Sequence, residues 1–194
     1  MIKGIDISEH NGIINFRRLP KDISFVIIRL GWGNGHIDGR FYENVNEALD
    51  AGLDIGAYFY SYALTRERAR EEAAFTAALL QDSGLTPERL KRGFWLDMED
   101  ADNYKRNHGL TPSDIRKITN EYLEEMIIQR FPAGLYASLS WLETILRPAP
   151  ECPVWCAQWG EKCDYPDATM WQYTDRYDIG QMVDGDVWMG PHIG

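Results

Sequence analysis

Seven residues in mid-chain, Phe94-Trp95-Leu96-Asp97-Met98-Glu99-Asp100, have the types and spacing best suited to chemistry. In an extended strand successive side chains face opposite ways, so Trp95, Asp97 and Glu99 share one face while Phe94, Leu96 and Met98 share the other. The two carboxyls then stand about 7 Å apart along the backbone. Their mutual repulsion holds a proton on one of them to higher pH. Such a pair can offer an acid and a base at one site. The alternative is a strand that runs out into a solvated acidic turn, and the rest of the chain must decide between the two.

The elements that would position this pair follow from periodicity. Gly4-Ile5-Asp6-Ile7-Ser8 reads as a short strand that breaks at Glu9-His10-Asn11-Gly12, which leaves Asp6 near its C-terminal end. Phe25 to Leu30 is an almost unbroken apolar run, as for a strand buried on both faces, and Gly31-Trp32-Gly33-Asn34-Gly35 ends it. That loop has neither the lysine of a P-loop nor a G-x-G-x-x-G, so a nucleotide site is not expected. Helical spacing of Phe41, Val45, Ala48 and Leu49 stops at Gly52, and a strand resumes at Ile55 with Tyr58, Tyr60 and Tyr62 on one face. Those tyrosines suit either a core or the flat face of a sugar ring. Helices are expected from Thr65 to Gln81, from Thr111-Pro112-Ser113-Asp114 to about Gln129, and from about Ser140 to Leu146, with a strand at Gly134–Ser138. Pro153–Trp159, Thr169–Tyr173 and Val187–Met189 read as strands with no helices between them.

Strand and helix alternating through the first five units imply a parallel sheet covered by helices, and about eight strands in all favour closure. The expected fold is therefore α/β, an irregular TIM-like barrel of five βα units followed by three strands. In parallel barrels the working residues sit at the C-terminal ends of strands. That filter selects Asp6, Arg29, Tyr60, Asp97, Glu99, Ser138, Trp159 and a late acid at Asp184 or Asp186. It contains no nucleophile–base pair: G-x-S-x-G is absent and the four histidines fall in turns or tails. A cation held by clustered carboxylates is the alternative use of such a mouth.

Bulk properties narrow the class further. At 194 residues one domain suffices, burying roughly 70% of the surface exposed by the unfolded chain. Twenty Lys and Arg against thirty Asp and Glu give a formal charge of −10, which disfavours nucleic acid and other polyanions. No apolar run is long enough for a membrane span, and Met1–Asp6 lacks the features of an export signal. Cys152, Cys156 and Cys163 are an odd count and lack a fourth zinc ligand at short spacing, so reduced thiols are expected rather than a metal centre.

Gly4–Ser8, Phe25–Arg29, Ala51–Tyr58, Trp95–Glu99, Gly134-Leu135-Tyr136, Trp171-Gln172-Tyr173 and Val183-Asp184-Gly185-Asp186 together resemble glycoside hydrolase family 25, in order and across nearly the full length. Members of that family are lysozymes (N-acetylmuramidases) that cut the β-1,4 bond between N-acetylmuramic acid and N-acetylglucosamine in peptidoglycan. The resemblance implies an irregular barrel of the kind counted above. It also implies Glu99 as general acid and Asp97 as the group that orients a substrate acetamido for internal attack, one of the exceptions to the two-carboxylate scheme. Asp6 and Asp184 match the other two acids of the family's site; their modest alternative is bonding to loop amides. Asp186 stands where many relatives carry Asn, and Arg29-Leu-Gly-Trp-Gly replaces a Lys-Ala-Thr-Glu-Gly, so the sugar is expected to be gripped differently there. Tyr60, Tyr62, Trp95, Tyr136, Trp159 and Trp171 are the candidates for stacking on sugar, with packing as the alternative for each.

No metal and no organic cofactor is expected, and the partner is the peptidoglycan glycan strand, met by a monomer. Anionic wall polymers should repel a chain of this charge, which a wall-binding module would overcome by raising local concentration. Residues 1–190 read as the catalytic domain, and 191–194 as the start of a linker to such a module. The expected setting is a phage or prophage endolysin made in the host cytoplasm and released to the wall, with a secreted mature autolysin as the alternative.

Overall fold

The computed structural model describes residues 1–190; the tail expected to be a linker, residues 191–194, lies outside them. Nine strands follow one another: β1 (Ile2–Ile7), β2 (Ile23–Trp32), β3 (His36–Ile37), β4 (Asp54–Tyr60), β5 (Phe94–Asp97), β6 (Ala133–Ser138), β7 (Val154–Ala157), β8 (Met170–Asp178) and β9 (Met182–Trp188). All but β3 form a ring. From β1 through β8 each pairs in parallel with the next, and β9 closes the circle antiparallel to both β8 and β1. The two-residue β3 is a small hairpin on the end of β2 that the sequence pattern did not suggest.

Helices cover the outside where the chain crosses between parallel strands: α1 (Phe41–Asp50), α2 (Arg66–Asp82), the one-turn α3 (Tyr104–Asn107), α4 (Pro112–Ile128) and α5 (Leu139–Thr144). Their ends are written locally. Thr65 caps α2 by accepting from Arg68 N, and Thr111 with Asp114 makes a capping box ahead of Pro112 in α4. Five βα units were expected, and the first is distinct. Between β1 and β2 the chain makes two 3-10 turns, Glu9–Asn11 and Phe16–Arg18, with Ile14 and Phe16 buried. Gly12 and Pro20 interrupt any longer apolar stripe there.

The alternation read along residues 94–98 holds. Phe94, Leu96 and Met98 face outward into the layer between barrel and helices, and Trp95 faces the barrel interior. That interior is filled by Phe25, Ile27, Trp95, Trp155, Met170 and Trp188, with Tyr58 and Tyr136 packed above them. Each large apolar side chain buried this way contributes about 1.5–3 kcal/mol. Inward-facing glycines make the room. A Cβ on Gly4 would lie 2.3 Å from the Phe25 ring, and one on Gly134 2.4 Å from the Trp95 ring. All three cysteines are free.

One expectation is corrected. β5 ends at Asp97, so Glu99 is on the following loop and not on the same strand face. The ladder persists one step further, Met98 N donating to Tyr136 O at 3.0 Å, and the chain then leaves the sheet.

Candidate active site

Four acids arrive at the C-terminal mouth from three directions. Asp6, near the end of β1, lies opposite Asp184 of β9 in the antiparallel register. Asp97 ends β5 between Tyr60 of β4 and Tyr136 of β6. The loop after β5 brings Glu99 over the same opening. With Tyr58, Tyr136, Trp155 and Gln172 these acids line a hollow of about 90 Å³. The aromatic plug lies beneath them, with Trp155, Tyr58 and Tyr136 belonging to both.

Burial is the largest cause of what these carboxyls do. It raises Asp97 well above the ordinary carboxylate range, Glu99 adds to that, and Lys105 and Arg29 oppose it. Asp97 is 4% exposed and its Oδ1 has no hydrogen-bond partner among the described residues. Glu99 is likewise raised by burial, with Lys105 the strongest opposing charge. Asp6 is raised by burial and then by Asp184, against the hydrogen bond from Gln172. Burial, then Asp175, lifts Asp184 to about 6. Groups that keep protons toward neutral pH beside others that can ionise are what proton transfer requires.

Gln172 joins two sides of the mouth, and the sequence reading quoted it within a motif without giving it a role. Its Nε2 donates to Asp6 Oδ2 at 2.9 Å and to Asp184 Oδ2 at 3.4 Å, while its Oε1 accepts from Tyr136 OH at 3.1 Å and Trp159 Nε1 at 3.4 Å. Both ends of the amide are therefore engaged, which fixes its orientation. Trp155 was missed as well. Its indole lines the hollow and donates to Asp186 Oδ1 at 2.9 Å. Alternation was the available signal: Met170 faces the interior, so Gln172 does too, and Trp171 cannot.

The expected sugar-binding set divides accordingly. Tyr58 and Tyr136 line the hollow, and Trp159, 62% exposed, stands on its rim. Tyr60 and Tyr62, rings 4.9 Å apart, lead into a second hollow of about 240 Å³ that also contains His10, Arg29, Trp32 and Asp102. That hollow shares Trp32 and Tyr62 with a third of about 520 Å³, so the two join into a groove lined by aromatic rings, with Tyr60, the β4 neighbour of Asp97, at its inner end. Arg29 is braced there by Asp38 at 2.8 Å and Glu9 at 3.4 Å, over the Trp32 ring.

Three of the expected substrate contacts are corrected. Trp95 is fully buried in the plug, its Nε1 bonded to Arg92 O at 2.7 Å, because it sits one inward step below Asp97. Trp171 is 8% exposed and its Nε1 is taken by Gln158 O. Asp186 is 0% exposed, one inward step below Asp184, with its Oδ1 held by Trp155; burial and the Asp6 charge push its carboxyl far up. Buried so completely, it lies beneath Asp6 and Asp184 and is closed to a ligand in the mouth. Ser138, selected by its place at a strand end, caps α5 by accepting from Trp141 N. Among the described residues no group of three or more His, Cys, Asp or Glu is arranged to hold a metal ion.

An eight-stranded mixed barrel whose C-terminal mouth gathers buried carboxylates beside an aromatic groove is the architecture of a carbohydrate-cleaving enzyme class. The sequence matches the family described as Glycosyl hydrolases family 25 over residues 5–182, and the chain belongs to that family. It is similar to Lysozyme M1 of Streptomyces globisporus, 25% identical over 197 residues, which cover 96% of this chain and 66% of that protein. The modular autolysin LytC of Streptococcus pneumoniae, solved with a synthetic peptidoglycan ligand, has a TM-score of 0.83 at 26% identity, covering 96% of this chain and 46% of that one. The bacterial lysozyme of Streptomyces coelicolor shares the fold, with a TM-score of 0.78 at 23% identity over 97% of this chain and 92% of that one. The chain thus spans just under two thirds of the first relative and less than half of the second.

Proposed function

We propose that the protein is an N-acetylmuramidase, hydrolysing the β-1,4 bond between N-acetylmuramic acid and N-acetylglucosamine in peptidoglycan. The observation that carries this reading is the convergence of Asp6, Asp97, Glu99 and Asp184 on one small hollow, in a chain of family 25.

Glu99, whose carboxyl burial raises above the ordinary range, gives its proton to the leaving glycosidic oxygen. The unpartnered Oδ1 of Asp97 accepts from the N–H of the substrate's 2-acetamido group. That bond favours the ionised carboxyl and aims the acetamido carbonyl oxygen at the anomeric carbon. The carbon–oxygen bond to the leaving sugar breaks as the oxazolinium ring closes. Water, deprotonated by the Glu99 carboxylate, then opens the ring and restores the acid. Asp6 and Asp184 place two carboxyls beside the positive centre, whose charge favours their ionised forms, and Gln172 holds the two in register.

Within this reading the protein works as a monomer and as an endolysin, made inside a host cell and opening its wall after release. Co-expression with a membrane pore-former should then lyse the host, where expression alone does not.

The test of the activity is to digest purified peptidoglycan, reduce the products with borohydride and identify the reduced sugar by mass spectrometry. Reduced N-acetylmuramic acid is expected, unchanged by chelator. Reduced N-acetylglucosamine, equal cleavage of unsubstituted chitin oligomers, loss of activity with chelator, or wall binding without cleavage would each overturn the reading.

A further inference from the structure

We infer that Lys105 is a positioning residue of this active site: its buried ammonium ties the backbone at Glu99 to the end of the neighbouring strand β4 and supplies the cation against which Asp97 and Glu99 are set. Lys105 is 1% exposed although it comes from a short, otherwise polar helical turn. Its Nζ donates to Glu99 O at 2.7 Å and to Ser61 O, just past β4, at 2.6 Å. Loops following two different strands are thereby stapled together directly behind the acid. The same ammonium lies 5.3 Å from the Tyr60 ring centre and 5.6 Å from that of Tyr62, an arrangement that favours a cation.

The turn that carries Lys105 is itself anchored. Asp100 Oδ1 accepts from Lys105 N at 2.7 Å and Oδ2 from Arg106 N at 3.0 Å. Carboxylates face the ammonium from every element around it: Asp97 from β5, Glu99 and Asp100 from the loop, and Glu72 from α2, whose own carboxyl is held by Ser61 Oγ at 2.6 Å. A buried cation costs desolvation energy, and this ring of acids offsets it. No other charge lowers Asp97 or Glu99 as strongly. A residue needed only for packing could be apolar at this position, since the pocket is closed to solvent.

Naming Glu99 as the acid rests on the muramidase reading; the placement of Lys105 does not, and the experiment separates the two. Asp and Glu carboxyls labelled with ¹³C are titrated by NMR in the wild type, Lys105→Met and Lys105→Arg, and the pH–rate profile on peptidoglycan is recorded beside them. In Lys105→Met the Asp97 and Glu99 titrations should move up by about one pH unit. Both limbs of the profile should follow, with kcat down at least about tenfold and KM within about twofold. Lys105→Arg should keep the wild-type titrations at a reduced rate. Carboxyls that move in an enzyme inactive on peptidoglycan would support Lys105 and refute the muramidase reading. A slower Lys105→Met with unmoved carboxyls, or loss of the folded state in both variants, would make Lys105 a scaffold residue only and overturn the inference. If Lys105→Arg alone folds, displaced carboxyl titrations in it would overturn the inference and unmoved ones would uphold it.

Discussion

Trp95 and Asp97 stand two residues apart on one face of β5, yet they belong to regions with opposite demands. Around Trp95 the barrel interior is a closed plug of Phe25, Trp155, Met170 and Trp188, with the Trp95 and Trp155 indole N–H groups paired to Arg92 O and Asp186. Around Asp97 the same strands supply acids that burial lifts and neighbouring acids repel, one with an unpartnered oxygen. The plug gains stability from contact and the mouth gives some of it up to keep charge out of water. The difference teaches that, among side chains that face the barrel interior, depth along the strand divides scaffold from site.

That contrast can be broken by substitution, the largest expected effect first. Asp97→Asn should cut the rate on peptidoglycan by about 10³-fold or more with the melting temperature unchanged or raised. A loss of only a few-fold would remove acetamido assistance from the account. Trp95→Ala should do the reverse at the same strand, costing about 3–5 kcal/mol of stability in denaturant unfolding while whatever protein remains folded keeps its specificity. A stable but inactive Trp95→Ala would return Trp95 to the substrate side.

The pH dependence sharpens the same comparison. Asp184 has a folded-state value raised from 3.8 to about 6, so the folded state binds its proton more tightly than the unfolded chain does. Its stabilising contribution is complete below the ordinary carboxylate range and is lost as pH rises through about 6. Asp184→Asn should therefore melt increasingly above the wild type as pH goes from 4 to 7, read as the difference between two melting curves; a constant difference would contradict it. The smallest effect is expected at the rim, where Trp159→Ala should raise KM by about three- to tenfold and leave kcat nearly unchanged.

The division between plug and mouth also explains what could be read from the sequence. Strand alternation, helix caps and the turn glycines are local, so the barrel, its order and the inward face of residues 94–98 were legible. Asp6, Asp97 and Glu99 followed from the rule that strand ends carry function. Depth was not legible: Trp95 and Asp186 look like site residues beside Asp97 and Asp184, and only the stagger of neighbouring strands shows that they are covered. Gln172 and Lys105 were hidden for a second reason. Alternation gives Gln172 its inward face but not its role, and a lysine in a polar stretch carries no local signal, because their partners come from strands 166 and loops 44 residues away in sequence.

The most direct test removes one proton donor and leaves the shape intact. In Glu99→Gln, release of reducing ends from purified peptidoglycan and melting temperature are measured on the same preparation. A rate lowered by at least about 10³-fold with a melting temperature at or slightly above that of the wild type is the result predicted for a mouth built for chemistry on a separately stable plug. Cleavage within a few-fold of wild type, or inactivity that comes only with loss of the folded state, would contradict it.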